Sequence, residues 1–429
     1  MKNDRVYDIA ILGAGASGLM AAIAARCSGA DPSIAVLEKN EKAGKKLYAT
    51  GNGRCNVLNA LAQPEDYRSG EGDAARMAAN IFPPFGPSEL RRIFEDLGLD
   101  MVEEGEGRLY PRSLQAASVV HALERGAFGE FSGTDGAVFA GDAEPAAYGR
   151  PAELICGFEA KRAEKEGDLF AVTAADGSVI KAKRLILATG GKAGIQYGCD
   201  GRGLKIAESF GHRIVRPIPA LTGFICEEAD LLAKLAGVRV HGMVRLLADE
   251  ILLAEDEGEI QFNKDSVSGI CVMNVSGYYR RRGEERFALE LDVMPEWSED
   301  ALAHKLAARK EQLGEYFLDA LLPAKLTEAV LETVADGKSG TDPSPAGLAY
   351  LLKHLCFTPV ASKGWKDAHT TSGGIALDEI DPQTMESKLV QGLYAAGEVL
   401  DVDGPCGGYS LTWAFASGCA AGQAAAQKK

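Results

Sequence analysis

Residues 7–26, YDIAILGAGASGLMAAIAAR, decide the fold of this chain. Tyr7 to Leu12 is a short apolar run typical of a buried strand, whereas Ser17 to Arg26 is rich in alanine and free of proline, as helices are. Between them, GAGASG at 13–18 forms a G-x-G-x-x-G pattern. The stretch therefore predicts a strand, a tight glycine turn and a helix, which together open a Rossmann-like α/β fold.

A second strand, predicted at Ser33 to Leu37, ends at Glu38, about 20 residues after the glycine turn. The glycines would let the backbone approach a pyrophosphate, the helix N-terminus would stabilise its charge, and Glu38 could accept a hydrogen bond from a ribose hydroxyl. The competing interpretation is a glycine turn that binds nothing. Because strand, turn, helix and acidic residue occur in the expected order, we predict a dinucleotide site formed by Gly13, Ala14, Gly15, Ala16, Ser17, Gly18 and Glu38.

Two further segments favour FAD over NAD as the dinucleotide. A loop rich in glycine and lysine, NEKAGKKLYATGNGRCN at 40–56, follows the second strand, and a second glycine-rich segment precedes a predicted last helix at Ser410 to Ala426. A single NAD domain would need neither segment, whereas an extended FAD would run from Glu38 past the glycine turn to the last helix. No second G-x-G-x-x-G follows a strand in the middle region, so NAD(P)H is kept only as an open candidate for the reductant.

Composition excludes several classes of function. The 46 basic and 61 acidic residues give a net charge of −15, which disfavours a broad nucleic-acid or anionic-membrane surface. The 9 cysteines form no C-x-x-C pair, so we expect reduced thiols in a cytoplasmic protein and no metal site. Residues 9–25 are apolar, but glycines interrupt them and the run is short for a membrane span. The oligomeric state is left open.

The predicted elements divide the chain into domains. Glu153 to Leu187 alternates as in an antiparallel meander, 212–293 is mostly β, and helical periodicity follows Ser298. We expect an FAD-binding domain at 1–191 and 369–429, an inserted β-rich substrate domain at 192–295 and 338–368, and a helical insert at 296–337.

Several motifs resemble those of the BaiN/YhiN-type FAD-dependent oxidoreductases, which include aminoacetone oxidase-like flavoproteins. The resemblance spans Asp8 to Gly422 and implies a glutathione-reductase-type FAD domain, but it leaves the substrate open, because members act on quite different small molecules. It rests on GAGASGLMAAI, LEKNEKAGKKLYATGNGRCN, GRLYPRS, LATGGK, TSGGI and GLYAAGEVLDVDGPCGGYSLTWAFASG.

A more distant resemblance links the chain to the flavoprotein subunits of fumarate reductase and succinate dehydrogenase. It implies FAD contacts for Asp200, Gly397, Glu398, Ser410 and Leu411, and substrate contacts for His369 and Thr371. Where those subunits carry an arginine that binds a substrate carboxylate, this chain has DGPCGGY at 403–409. A dicarboxylate substrate is therefore disfavoured.

The start of the last helix, at Gly407, Gly408 and Tyr409, would stabilise negative charge on a reduced flavin. The alternative is that these glycines merely form a turn before the helix. Lys45 and Lys46 could neutralise a pyrophosphate or simply solvate the loop, and both interpretations stay open. Cys55 is interpreted as a packed small residue rather than a redox thiol. The remaining predicted cofactor contacts are Lys39, Arg54, Cys55, Asn56, Ala160, Thr189, Gly190 and Gly191.

Four residues are candidates for catalysis. Tyr110 could donate a proton and Arg112 could hold an anion, although a surface turn with a packed aromatic ring is an equal alternative. His369 and Thr371 stand beside two glycines that permit close approach of a substrate, although a structural role for His369 is an equal alternative. The remaining histidines have no motif beside them and are assigned structural roles.

These observations predict an FAD-dependent oxidoreductase that transfers hydride to or from flavin N5 and acts on an unidentified small molecule. The alternatives are a flavin-binding sensor without turnover and an RNA-modifying flavoenzyme. The acidic charge balance speaks against the RNA-modifying enzyme.

Overall fold

A computed structural model of the chain describes residues 5–129, 148–280, 285–335 and 342–427. The contacts divide it into two compact units, Met1–Ile218 with Thr370–Lys429, and Pro219–His369. The first unit thus includes residues 192–218, which the sequence pattern assigns to the inserted domain. The reason is that helix Arg202–Ser209 packs Leu204, Ile206 and Ala207 into the core of the first unit.

The strands in chain order are β1 (Val6–Leu12), β2 (Ile34–Leu37), β3 (Leu58–Asn59), β4 (Met101–Glu104), β5 (Arg108–Pro111), β6 (Glu153–Ile155), β7 (Ala160–Glu166), β8 (Leu169–Ala174), β9 (Val179–Leu187), β10 (Ile214–Ala220), β11 (Phe224–Cys226), β12 (Arg239–Ala248), β13 (Ile251–Phe262), β14 (Ser266–Ser268), β15 (Phe287–Asp292), β16 (Leu355–Phe357), β17 (Pro359–Ser362), β18 (Thr370–Ile375) and β19 (Leu393–Ala395).

The α-helices are α1 (Ala16–Arg26), α2 (Ala74–Phe85), α3 (Pro87–Asp96), α4 (Ala116–Phe128), α5 (Arg202–Ser209), α6 (Ala229–Leu235), α7 (Ile270–Ser276), α8 (Glu299–Leu313), α9 (Ala324–Ala335), α10 (Pro345–Lys353) and α11 (Tyr409–Gln427). Among the described residues, none of these helices is long and apolar enough to cross a bilayer.

The main sheet of the first unit has the order β6-β2-β1-β9-β8-β7, and β19 also pairs with β9. β1 pairs in parallel with β2 and with β9, so that Leu12 lies opposite Leu37 on one side and Leu187 on the other. β2 and the C-terminal halves of β1 and β9 are apolar and buried, as expected where both faces of a parallel sheet are covered. Since the carboxyl ends of the three strands meet at one edge, the residues that follow Leu12, Leu37 and Leu187 come together there.

The predicted antiparallel meander is present in β7, β8 and β9. The prediction is wrong for β6, which pairs in parallel with β2. Its apolar residues Leu154 and Ile155 extend the parallel part of the sheet instead.

Two helices from opposite ends of the chain pack against each other beside this sheet. A Cβ at Gly418 of α11 would lie against the Ser17 carbonyl of α1, and one at Gly422 would overlap the Ala21 carbonyl. Small residues on both helices permit this close approach of their backbones. The two glycine-rich ends of the sequence therefore lie in one unit.

The second unit contains a seven-stranded antiparallel sheet with the order β16-β15-β12-β13-β14-β11-β17. The predicted helix after Ser298 is α8, and the Ser298 hydroxyl caps it by accepting a hydrogen bond from Ala301 N at 3.3 Å. α8, α9 and α10 pack on the core of this unit through leucines such as Leu302 and Leu326. The boundary expected between residues 337 and 338 lies outside the described residues.

Candidate functional site

The three glycines of the turn after β1 have different roles. Gly13 adopts φ +103°, and a Cβ there would overlap the Ala188 carbonyl of the neighbouring strand end. A Cβ at Gly18 would overlap the Gly13 carbonyl, so both glycines are required for packing within the protein. A Cβ at Gly15, in contrast, would meet no described atom within 4 Å. Gly15 is therefore the point at which a ligand could approach the backbone.

Helix α1 begins directly after Gly15. No described side chain caps this helix, and its first turn contains no acidic residue. The first N–H groups of an α-helix have no carbonyl partner within the helix, and they carry its positive partial charge. The turn thus presents uncapped donors beside the open space at Gly15, which suits an anionic group such as a pyrophosphate.

Glu38 stands at the end of β2 next to this turn, and 8% of its surface is exposed. Its Oε2 accepts a hydrogen bond from Ala14 N at 2.9 Å, and its Oε1 accepts from Asn40 N at 2.8 Å. A carboxylate has about four lone-pair sites, so Glu38 keeps acceptor capacity for a ribose hydroxyl. The structure brings Glu38 to the glycine turn, as the spacing predicts.

The loop after β2 is joined to a segment near the C-terminus by a charged network. Lys46 Nζ donates to Glu398 Oε2 at 2.9 Å, and Glu398 Oε1 accepts from Thr371 N at 2.6 Å. Burial disfavours the ammonium, but the negative charge of Glu398 outweighs it, so the pKa of Lys46 is raised. Lys46 is therefore a paired cation, whereas Lys45 is exposed and donates to Asn40 Oδ1 at 3.3 Å.

The hydroxyl of Thr371 is engaged by the backbone. Its Oγ1 accepts hydrogen bonds from Lys192 N at 2.8 Å and from Ala193 N at 3.0 Å, and a Cβ at Gly191 would overlap it. Thr371 is fully buried. This geometry makes Thr371 a residue that holds the turn after β9, and it differs from the substrate-facing role that the resemblance implies.

Five other predicted contacts also belong to the first unit. Lys39 Nζ pairs with Asp200 Oδ2 at 3.0 Å. Burial opposes ionisation of Asp200, but hydrogen bonds from Lys39 and from Arg202 N outweigh it and lower the pKa of this carboxyl. A Cβ at Gly203 of α5 would overlap Thr189 Oγ1, so Thr189 is packed against that helix. Gly190 faces open space, and Ala160 pairs with Ala174 in the meander.

The start of α11 forms a second cluster. Gly407 and Gly408 adopt φ +120° and +98°, and a Cβ at Gly408 would lie 2.7 Å from Leu58 O and 2.9 Å from Asn56 Oδ1. Asn56 Oδ1 and Ser410 Oγ are buried and have no hydrogen-bond partner among the described residues. Buried polar atoms are nearly always paired, so these two orphans point to a polar ligand group at the start of the helix.

The loop before β3 contains a run of left-handed residues, which include Asn52 at φ +55° and Cys55 at φ +60°. Non-glycine residues in this conformation are uncommon outside turns and functional sites. Burial raises the pKa of the Cys55 thiol to about 11, so the thiol stays protonated near neutral pH. These findings fit the interpretation of Cys55 as a packed residue. The guanidinium carbon Cζ of Arg54 lies 4.3 Å from the ring centroid of Tyr110, and the guanidinium pairs with the Glu104 carboxylate.

The catalytic candidates are not brought together within one unit. Tyr110 is buried under Arg54, whereas the side chain of Arg112 is exposed. His369 is exposed and lies at the end of the second unit, where its backbone N–H donates to Leu221 O at 3.3 Å.

The cluster at the start of α11 includes two residues that the pattern does not single out, Asn59 and Arg108. No spacing rule could have found them, because hundreds of residues separate them from α11 in the chain.

The residues around Gly15 and Glu38, and those of the cluster at the start of α11, fit FAD. An uncapped helix beside the open space at Gly15 suits the pyrophosphate, Glu38 suits the ribose, and the orphaned atoms of Asn56 and Ser410 suit a polar ring system.

Comparison with known proteins identifies the family of this chain. Residues 7–129 and 152–424 match the family described as HI0933-like protein Rossmann domain. The chain is 35% identical over 432 residues to 3-dehydro-bile acid delta(4,6)-reductase of Clostridium scindens, covering 98% of this chain and 99% of that protein. It is 28% identical over 416 residues to ribosomal RNA dihydrouridine synthase of Haemophilus influenzae, covering 95% of each.

Among solved structures, the open conformation of a flavocytochrome c3 fumarate reductase is similar at 15% identity and a TM-score of 0.46, covering 99% of this chain and 78% of that one. The family match confirms the predicted Rossmann-type α/β fold and, with the reductase relative, the predicted class of enzyme, an FAD-dependent oxidoreductase. The chain belongs to the HI0933-like family.

Proposed function

We propose that this protein reduces a carbon–carbon double bond of a small molecule, with FAD bound non-covalently in the first unit. The observation that carries the proposal is the open space at Gly15 in front of the uncapped helix α1. At Gly13 and Gly18, the other two glycines of the motif, protein atoms already occupy the space that a Cβ would take. The direction of the reaction is supported by the relative at 35% identity, whose name is that of a reductase.

Each part of the site has a task in this proposal. The Gly15 turn binds the pyrophosphate, and Glu38 orients the adenosine ribose. The Lys46–Glu398–Thr371 network fixes the loop at 40–56 against the turn after β9. The positive end of α11 stabilises negative charge beside Ser410. When bound, FAD would supply hydride transfer at its N5 position.

The relative supports a proposal for the substrate class. Its name describes a reductase of 3-dehydro-bile acids at the delta(4,6) position, that is, of a conjugated steroid ketone. We extend this to an α,β-unsaturated carbonyl compound as the substrate class. His369 is proposed to deliver a proton, because an imidazole is the side chain best suited to proton transfer near neutral pH.

Anaerobic reduction of the purified holoprotein tests the reaction. We expect NADPH or NADH to bleach the flavin absorbance and a 3-oxo-4-ene steroid acid to restore it. If dithionite is needed for bleaching but the steroid still restores the absorbance, the donor is another reductant. If only O₂ restores it, the protein is an oxidase and the proposal fails. His369→Asn should slow the steroid step by about 100-fold or more while FAD content stays unchanged.

An RNA-modifying activity is the second candidate, because the relative from Haemophilus influenzae is named as a ribosomal RNA dihydrouridine synthase and matches 95% of this chain. The net charge of −15 argues against a broad RNA surface. Ribosomal RNA from a strain that lacks this protein, assayed for dihydrouridine, separates the two candidates. A protein that keeps FAD but fails both assays would instead be a sensor.

A cytoplasmic location is part of the proposal. None of the 9 cysteines forms a disulfide in the structure, and Cys156 and Cys356 are exposed. Exposed free thiols are typical of a reducing compartment.

A further inference from the structure

The β4–β5 hairpin brings a cation to the start of α11. Arg108 is the first residue of β5, and it pairs with Asn59 of β3 on one side and Glu104 of β4 on the other. Glu106 and Gly107 precede it in a left-handed turn with φ +64° and +71°. Arg108 Nε lies 3.8 Å from the position that a Cβ on Gly407 would take.

One buried side chain fixes this arrangement. Asn59 is 1% exposed, and its Nδ2 donates both to Glu106 O in the hairpin turn at 3.0 Å and to Gly407 O at 2.9 Å. Its backbone N–H donates to Thr412 Oγ1 in the first turns of α11 at 3.1 Å. The hairpin turn and the helix start are therefore held to each other, and Arg108 is presented on a fixed backbone.

The charge of Arg108 acts on both sides of the glycine pair. Burial raises the pKa of Cys406, and Arg108 opposes that shift. Burial and Asp66 raise the pKa of Tyr409, and Arg108 opposes that shift as well. The positive field of Arg108 therefore covers the segment from Cys406 to Tyr409.

The counterion of Arg108 can be displaced. The Arg108 side chain is 28% exposed and pairs with Glu106, whose side chain is 78% exposed. Ion pairs with such an exposed partner contribute little to stability, because water solvates the carboxylate almost equally well. A ligand anion could therefore replace Glu106 without a large cost.

We propose that Arg108 binds the substrate oxygen on which negative charge develops, and that it replaces the arginine missing from the segment DGPCGGY at 403–409. The inference rests on the proposed function, since reduction of an α,β-unsaturated carbonyl compound places negative charge on the carbonyl oxygen. It assigns the substrate-binding cation to Arg108 rather than to Arg112, whose side chain is exposed.

A phenolate tests this assignment because it carries its negative charge on one oxygen of a conjugated ring. The probe is 4-chlorophenol, titrated into the oxidised holoprotein at a pH where it is ionised, with its uncharged methyl ether as the matched ligand. Arg108→Gln should weaken phenolate binding about 10-fold or more, the loss expected for one charge-assisted hydrogen bond, and should leave the methyl ether unaffected. Arg108→Lys should recover part of the affinity.

Two further variants keep the test decisive. Glu106→Gln should tighten phenolate binding several-fold, because it removes the competing carboxylate, and a merely structural ion pair would not give this gain. Arg91→Gln removes an exposed, ion-paired arginine on α3 and should change nothing. FAD content is measured first for every variant.

The assignment is overturned if the wild-type holoprotein shows no saturable phenolate binding, if Arg108→Gln binds as the wild type does, or if Arg112→Gln weakens binding instead. Each of these results leaves the proposed reduction intact when steroid reduction persists. Loss of FAD from the wild-type protein would instead refute the proposed function itself.

Discussion

Lys46 Nζ lies 2.9 Å from Glu398 Oε2, and this ion pair joins two residues that are 352 positions apart in the chain. Lys46 belongs to the glycine-rich loop after β2, whereas Glu398 follows β19 at the carboxyl edge of the sheet. Glu398 also accepts a hydrogen bond from the backbone N–H of Thr371, and the Thr371 hydroxyl in turn holds the turn after β9. One carboxylate thus ties three segments of the first unit to each other.

Lys46→Met should destabilise the first unit by about 2 kcal/mol at pH 7, because it leaves Glu398 without its cation. The folded-state pKa of Lys46 is raised, so the contribution of the pair is complete below the unfolded-state pKa of lysine and declines as pH rises through the folded-state pKa. Denaturant unfolding of the wild type and the variant at increasing alkaline pH checks the sign. A difference in unfolding free energy that grows with pH would contradict the pairing.

Two glycine substitutions should separate ligand binding from folding. Gly15→Ala should leave the stability of the apoprotein unchanged, because no described atom lies within 4 Å of the new Cβ, but it should weaken FAD binding about 10-fold or more. Gly18→Ala should destabilise the apoprotein by about 2 kcal/mol, because its Cβ would overlap the Gly13 carbonyl. Thermal unfolding and FAD titration of both apoproteins measure the contrast. Equal losses of stability would show that Gly15 is also needed for packing.

The first strand, the glycine turn, α1 and α11 can be predicted because each is a local pattern. Helix α2 has no counterpart among the predicted elements, and it contains Pro83 and Pro84. The structure places both prolines in its last turn, and Asp73 caps its start by accepting from Arg76 N at 2.8 Å. Each proline removes one N–H donor from that turn, and Gly86 ends the helix directly afterwards.

Pairings over long stretches of chain account for the rest of what sequence could not predict. Arg108 lies close to Gly407 because Asn59 joins the hairpin turn to that segment. A side-chain amide that donates to two backbone carbonyls leaves no recognisable motif in the sequence. Thr371 shows the opposite case. The motif places it at the site, but only the geometry reveals that its hydroxyl is used by Lys192 N and Ala193 N.

Cys55 should be chemically inert in the folded protein. Burial raises the pKa of its thiol to about 11, so little thiolate exists near pH 7, and a thiol reagent should modify the exposed Cys156 and Cys356 first. Cys55→Ala should keep FAD and the rate of steroid reduction. Mass spectrometry after brief alkylation identifies the modified residues. Early labelling of Cys55, or loss of flavin reduction in the variant, would make it a redox thiol after all.

Ser410 provides a test of where the flavin ring lies. Its Oγ is buried without a hydrogen-bond partner among the described residues, and it stands in the first turn of α11, whose positive end would favour a negatively charged reduced flavin. Ser410→Asp should lower the flavin reduction potential by about 50 mV, since a nearby carboxylate opposes that charge. The fold should persist, because an acidic residue is favourable in the first turn of a helix. Ser410→Ala is the control, and it removes the same hydroxyl without adding charge. Equilibration with redox dyes measures all three proteins, with FAD content and unfolding temperature determined alongside. If Ser410→Asp keeps the wild-type potential while it retains FAD, the ring does not lie at the start of α11, and the Arg108 assignment loses its basis as well.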